Sequence, residues 1–168
     1  LVVEVAKAVG ADVAFFLDPR PSLMLGAGDT LVETYASTVD APLAIVLPAE
    51  TGVVTKEAYD QFDASPVAPE SYEQLSALLR AAGNSGVTSD HDASKQFIQQ
   101  VASLLFNNLA PAAKSLKPQV AEVEEWLKAQ FGVLGAQVSG SGSSSFALCE
   151  SQDAANAIAA AAQAKGWR

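Results

Sequence analysis

Two short apolar runs, Val133–Val138 and Ser144–Leu148, flank the segment Ser139-Gly140-Ser141-Gly142-Ser143. Each run is bounded by turn residues and reads as a strand, so the unit is strand–loop–strand. Two glycines one residue apart let the backbone of such a loop approach a ligand closely. Its N–H groups and serine hydroxyls can then donate to phosphate oxygens. An ordinary glycine–serine hairpin accounts for the same run. Two other phosphate loops are excluded: no Gly-Lys-Ser/Thr follows, as a Walker A loop requires, and the run does not lead a strand into a helix, as a dinucleotide fingerprint does.

The rest of the chain alternates between the two periodicities. Leu1–Val9 reads as a helix tail stopped by Gly10, and Asp12–Leu17 as a short strand or a tight entry into one. Leu23–Leu25 and Thr30–Tyr35 form a hairpin across Gly26-Ala27-Gly28-Asp29, with glycines for positive φ. Val39-Asp40-Ala41-Pro42 marks a boundary between residues 1–40 and 41–168. Beyond it Leu43–Leu47 is a continuous apolar run suited to a central strand. Helices are expected over Thr55–Phe62, capped by Thr55, and over Ser71–Ala82, ending at Gly83. Two more are amphipathic: Ala93–Phe106, with Phe97, Val101, Leu104 and Leu105 on one side, and Pro118–Phe131, with Val120, Val123, Leu127 and Phe131 facing in. An alanine-rich helix capped by Ser151 stops near Gly166, and Trp167-Arg168 starts a further strand. The expectation is an α+β fold. Its sheet is mainly antiparallel, built from Leu43–Leu47, Val133–Val138 and Ser144–Leu148, with the two amphipathic helices packed on it.

Composition narrows the function classes. With 168 residues, 49% of them apolar and 17% charged, the chain can bury the core of one domain or slightly more. Ten Lys+Arg stand against 19 Asp+Glu, a formal charge of −9, so there is no basic face for nucleic acid. No window approaches the roughly 18–20 uninterrupted apolar residues of a membrane span. A single cysteine, Cys149, excludes a disulfide framework and a multi-cysteine zinc site and points to a reducing cytoplasm; its thiol reads as inert and partly buried. His91 sits in a polar loop without a second ligand, so no metal site is expected, and Glu122, Glu124 and Glu125 read as a solvated helix face. The opening Leu1-Val2-Val3-Glu4 reads as the middle of a helix, and a piece of a longer protein is expected.

Two further positions carry chemistry. Asp12, just past a helix stop and entering an apolar segment, can be aimed into a cleft to take a hydroxyl proton or hold a cation; an aspartate bonded to its own turn is the commoner arrangement at such a position. Thr55, after Gly52-Val53-Val54, places a hydroxyl at a helix N-terminus where an anion can bind, or simply caps it.

Five stretches stand in a telling order: Gly10-Ala11-Asp12-Val13-Ala14-Phe15-Phe16, Leu25-Gly26-Ala27-Gly28-Asp29, Gly52-Val53-Val54-Thr55-Lys56-Glu57-Ala58-Tyr59, Phe106-Asn107-Asn108-Leu109-Ala110-Pro111-Ala112 and Val138-Ser139-Gly140-Ser141-Gly142-Ser143. Together they resemble the GHMP kinase superfamily, and within it most of all the branch acting on 4-diphosphocytidyl-2-C-methyl-D-erythritol in non-mevalonate isoprenoid synthesis. The resemblance covers essentially all 168 residues, as the second half of such an enzyme. It implies a C-terminal ferredoxin-like domain over 41–168, preceded by a remnant of the ATP-binding domain over 1–40. It implies transfer of the γ-phosphoryl group of ATP, with Mg²⁺, to the 2-hydroxyl of the diphosphocytidyl-methylerythritol substrate. Asp12 matches the catalytic aspartate, which pairs with a lysine near the N-terminus of the whole enzyme. Ser139, Gly140, Ser141 and Gly142 match a loop near the nucleotide phosphates, and Thr55 a threonine on the substrate side.

The sequence departs from the family pattern at Ala14, where proline is usual, at Asp29, where glutamate is usual, and at Asn108, where aspartate is common. The lysine and the Pro-x-x-x-Gly-Leu-Gly-Ser-Ser loop have no match in these residues. The nucleotide site is therefore half present, and the 168 residues alone are expected to be inactive. Apolar surface near Val2, Val3, Phe15 and Phe16 is expected to face the missing domain or to favour self-association. The alternatives are a superfamily kinase for homoserine, mevalonate or a sugar, or a non-catalytic ferredoxin-like ligand-binding module.

Overall fold

The computed structural model describes residues 2–10, 13, 15–36, 41–49, 52–65, 70–85 and 91–168. Its elements run α1 (Val2–Val9), β1 (Ser22–Leu25), β2 (Thr30–Thr34), β3 (Leu43–Val46), α2 (Thr55–Ala64), α3 (Glu73–Ser85), α4 (His91–Ser103), α5 (Ala110–Leu116), α6 (Pro118–Lys128), β4 (Val133–Val138), β5 (Ser145–Cys149) and α7 (Gln152–Ala164). Between α1 and β1, Phe15–Leu17 form a single 3₁₀ turn where a short strand was one expectation. The strands make two antiparallel sheets, a β1–β2 hairpin and a three-stranded sheet in the order β3-β5-β4. This is the expected α+β fold.

The three-stranded sheet is organised by small side chains. Ala44 on β3 and Ala136 on β4 both stand opposite Ala147 on β5, so three alanines cross the sheet in one row. All three are buried. A row of methyl groups leaves depth for large residues from the helices, and Val123 and Leu127 of α6 and Ile158 of α7 pack against that face with Val46 and Cys149. On the opposite face α4 lies against β4 at close range. A Cβ on Gly135 would stand 2.9 Å from both the Cβ and the carbonyl oxygen of Ala102, so only glycine permits that contact. A second cluster, Val53, Ala58, Ala110, Ala113, Val120 and Val138, ties α2, α5 and α6 to the end of β4.

Several elements differ from the sequence expectation for identifiable reasons. Leu43–Val46 lies beside β5, not between two full strands; Leu43 and Ile45 are exposed while Ala44 and Val46 are buried. Its far end does take one further rung. Leu47 N–H donates to the Arg168 carbonyl at 2.6 Å and Arg168 N–H to the Leu47 carbonyl at 3.0 Å. Trp167 is pinned there edge-on to Trp126, with ring centroids 5.1 Å apart. Gly83 does not end α3, which runs on to Ser85, and α4 begins at His91 and stops at Ser103. Phe131 is 92% exposed because α6 ends at Lys128 and the chain turns at Gly132. Helix α5 has no counterpart among the expected helices. Ser151 does cap α7, its Oγ accepting from Ala154 N–H at 3.1 Å.

The hairpin is fastened to α3 by Arg80, which donates to Glu33 through Nε at 2.7 Å, and by a 2.7 Å bond between the Tyr35 hydroxyl and Ser76 Oγ. The apolar surface expected near the start is present: Val2, Val3, Val5, Val9 and Phe16 are exposed, and Phe15 is half-buried edge-on to Phe16. No helix among the described residues is long and apolar enough to cross a membrane.

Glu124 is not on a solvated face. It is 1% exposed and is held by Lys128 Nζ at 2.7 Å, one turn along α6, and by Lys114 of α5. Burial pushes its carboxyl up, but the two ammonium groups outweigh that and hold it below the ordinary 4.5. A lowered carboxyl contributes stability above its unfolded value, and that contribution is lost as pH falls through the folded one. Glu124→Gln is therefore expected to lose about 1–3 kcal/mol at pH 7 in urea unfolding. The deficit should shrink as pH falls below 4.5. A deficit that grows on acidification would show the carboxyl is not held ionised.

Candidate functional site

The β4–β5 connection is where the chain's glycines and hydroxyls converge. Ser139 N–H donates to the Ser144 carbonyl at 2.8 Å, and Gly142 N–H to the Ser139 carbonyl at 3.0 Å, which folds the run into a compact turn. Gly140 and Gly142 both have positive φ, +57° and +81°. Their surroundings differ. The direction a Cβ would take from Gly140 is open, whereas from Gly142 it meets Ala113 Cβ at 3.4 Å and Val53 at 3.5 Å. One glycine therefore faces outward and the other anchors the loop on the second apolar cluster.

Two elements hold the loop. Thr55 Oγ1 and Ser141 Oγ share a hydrogen bond of 3.0 Å across 86 residues of sequence. Thr55 is the first residue of α2 and not its cap; the cap position is Val54, which offers no side-chain acceptor, and the first backbone bond runs from Ala58 N–H to the Val54 carbonyl. The hydroxyl expected to cap the helix is thus turned to the loop, and the start of α2 stands beside it with its favourable dipole end. Lys56 is paired along its own helix with Asp60 at 2.6 Å. The second holder is Asn107. Its Nδ2 donates to the carbonyls of Val138 at 2.8 Å and Gly140 at 2.7 Å, and its Oδ1 accepts from Leu109 N–H at 2.9 Å.

Of the residues singled out in the sequence, Thr55, Ser139, Gly140, Ser141 and Gly142 come together here. Asp12 lies outside the described residues, as does Ala14. In the sequence Asn107 stands out only as a member of the Phe106–Ala112 stretch. An asparagine two places before Leu109-Ala110-Pro111 is a local cap signal, but its reach to the loop is a long-range fact. Asn108 Oδ1 accepts from Glu70 N–H at 3.1 Å, a contact aspartate could also make. Among the described residues no three His, Cys, Asp or Glu side chains converge to hold a metal. Cys149 is fully buried, and burial pushes its thiol up, which suits a packing role. An apolar cleft of about 250 Å³, lined by Leu23, Tyr35, Tyr72, Leu79 and Phe106 among others, uses none of these loop residues. Its Tyr35 and Ser76 hydroxyls bond each other.

A backbone loop rich in N–H and hydroxyl donors, with one glycine open to solvent beside a helix start, is suited to a phosphate group. Residues 91–166 match the family described as GHMP kinases C terminal. Over those residues the chain resembles the C-terminal part of a GHMP kinase. Similar curated proteins include 4-diphosphocytidyl-2-C-methyl-D-erythritol kinases of two bacteria. That of Desulfitobacterium hafniense (strain Y51) is 35% identical over 156 residues, 92% of this chain and 48% of the relative. That of Citrifermentans bemidjiense is 31% identical over 172 residues, 99% of this chain and 52% of the relative. A crystal structure of 4-(cytidine 5'-diphospho)-2C-methyl-D-erythritol kinase superposes with a TM-score of 0.71 at 28% identity, over 98% of this chain and 53% of that one. The chain spans about half the length of the curated relatives it matches.

The two loop glycines make a paired test. Valine at either position carries the left-handed strain of about 1–2 kcal/mol. At Gly142 it also meets Ala113 and Val53, adding overpacking of about 1–3 kcal/mol. In thermal melts Gly142→Val is expected to fall clearly below Gly140→Val, and equal losses would refute the two-sided description of the loop.

Proposed function

We propose that this chain is the C-terminal half of an ATP-dependent kinase that phosphorylates the 2-hydroxyl of 4-diphosphocytidyl-2-C-methyl-D-erythritol in non-mevalonate isoprenoid biosynthesis. The observation that carries the reading is the agreement of two independent things. Relatives of that name align across 92–99% of the chain, and the loop the sequence singled out folds into a compact turn beside the start of α2 with Gly140 facing open space. Residues 1–40 are then a piece of the nucleotide-binding domain and 41–168 the C-terminal domain. The exposed apolar residues of α1 and Phe16 suit packing against the other half, and a second copy is the other partner that surface fits. A cytoplasmic location accords with the single, unpaired cysteine.

The chemistry is displacement at the γ-phosphorus of ATP. The bond from phosphorus to the β,γ-bridging oxygen breaks, a new bond to the acceptor's 2-oxygen forms, and the hydroxyl proton leaves to a base. Asp12 is that base in this reading. The loop backbone and the hydroxyls of Ser139 and Ser141 face the nucleotide phosphates, where positioned donors offset charge in the transition state. Thr55, bonded to Ser141, joins the acceptor side of the cleft to the phosphate side. The donor set fits nucleotide phosphates, whose charge a bound Mg²⁺ would help to neutralise.

The test uses the full-length enzyme with ATP and diphosphocytidyl-methylerythritol. Asp12→Asn is expected to lower turnover by a factor on the order of 10² to 10⁴ with little change in melting temperature. Near-native turnover would remove Asp12 from the mechanism, and a higher kcat/KM for homoserine, mevalonate or a sugar would overturn the acceptor assignment. The 168 residues alone are expected to transfer no phosphate and to bind ATP weakly in calorimetry, since half of the nucleotide site lies elsewhere; micromolar affinity would contradict this.

A further inference from the structure

We infer that Asn107 is the positioning residue of the Ser139–Ser143 loop, setting the loop's shape and through it the affinity for ATP. The inference rests on the kinase reading above for the identity of the ligand, but its structural part stands on the distances alone.

Three of the four hydrogen-bonding positions of the Asn107 amide are used, both donors among them. Its two N–H bonds go to the carbonyls at 138 and 140, at 2.8 and 2.7 Å, and its oxygen receives Leu109 N–H at 2.9 Å. The two accepted carbonyls bracket Ser139, the residue at which β4 gives way to the turn. Holding both from one planar group fixes the direction in which the chain leaves the strand. It also draws the Val138 and Gly140 carbonyls toward the protein and leaves Gly140 with its open side outward. Carbonyl oxygens turned toward an anion would repel it, so the side chain that claims them sets the sign of the loop's surface. The same amide fixes the approach to α5, whose Ala113 is the floor under Gly142. Asn107 thus holds the loop from its entry and, through α5, from beneath. Thr55 holds the third point, the Ser141 hydroxyl.

Only an amide satisfies this arrangement, because it needs two donors and one acceptor in a plane. Aspartate is isosteric and keeps the bond from Leu109 N–H, but it turns a carboxylate oxygen toward two carbonyls. Between them its neutral form is favoured, and once protonated it can return one donor. Serine keeps a small hydroxyl for Leu109 N–H and removes both loop bonds without adding charge.

Asn107→Asp and Asn107→Ser are made in the full-length enzyme, with thermal melts to establish folding. In each, the KM for ATP is expected to rise about tenfold or more while the KM for the acceptor stays within about twofold. Hydrogen exchange at the Gly142 amide, bonded in the native loop to the Ser139 carbonyl, should speed up about tenfold. Unchanged exchange and unchanged KM for ATP in either folded variant would overturn the inference, as would equal rises in both KM values. Gly140→Val, measured in parallel, separates the two proposals. If it leaves the KM for ATP unmoved, the loop is not the phosphate site and the functional reading fails. If it raises that KM while the Asn107 variants do not, only the role of Asn107 fails.

Discussion

Strand β5 is paired along both edges, and most of the structure is arranged around that fact. Its backbone groups meet β3 on one side and β4 on the other, so its side chains are sealed between the layers that cover the sheet. Ser145, Ala147 and Cys149 are all at 0% exposure. Three small residues at every second position let α6 and α7 sit close enough for Val123, Leu127 and Ile158 to fill the space above the alanine row. A large residue at 147 would lift both helices at once. The loop that precedes β5 is consequently built on a rigid base, which a site dependent on backbone geometry requires.

What the sequence reveals and conceals follows from the range of the forces involved. The β4 and β5 segments are legible because their ends are marked by turn residues and their apolar runs are too short for helices. The α7 cap is legible because Ser151 acts on a residue three places along. Phe131 is misleading, since helical spacing continues past the point where α6 stops and Gly132 turns the chain. The burial of Glu124 is invisible from α6 alone. Its second partner, Lys114, comes from α5, a helix whose alanines give little periodic signal. Thr55 is misassigned for the same kind of reason: a hydroxyl at a helix start satisfies a local rule until Ser141 arrives from 86 residues away.

The candidate site shows the same division more sharply. Glycine spacing points to the loop, and order along the chain points to a kinase. Neither shows that the two glycines have opposite surroundings, or that an asparagine from the approach to α5 holds two of the loop's carbonyls. The chemistry of such a site resides in main-chain groups, which every sequence possesses. Only the packing that aims them is specific, and that packing here comes from α2, α5 and β4 together.

The pairing of Leu47 with Arg168 and the edge-on contact of Trp167 with Trp126 have a consequence for how the molecule opens. Helix ends commonly fray, but the far end of α7 is closed by a rung just past β3 and by a ring contact to α6. Releasing it would strip the outer side of β3 and uncover Ile158 and Ala162 in one step. Helix α7, β3 and the end of α6 therefore form one cooperative unit, whose amides share the protection of the whole sheet.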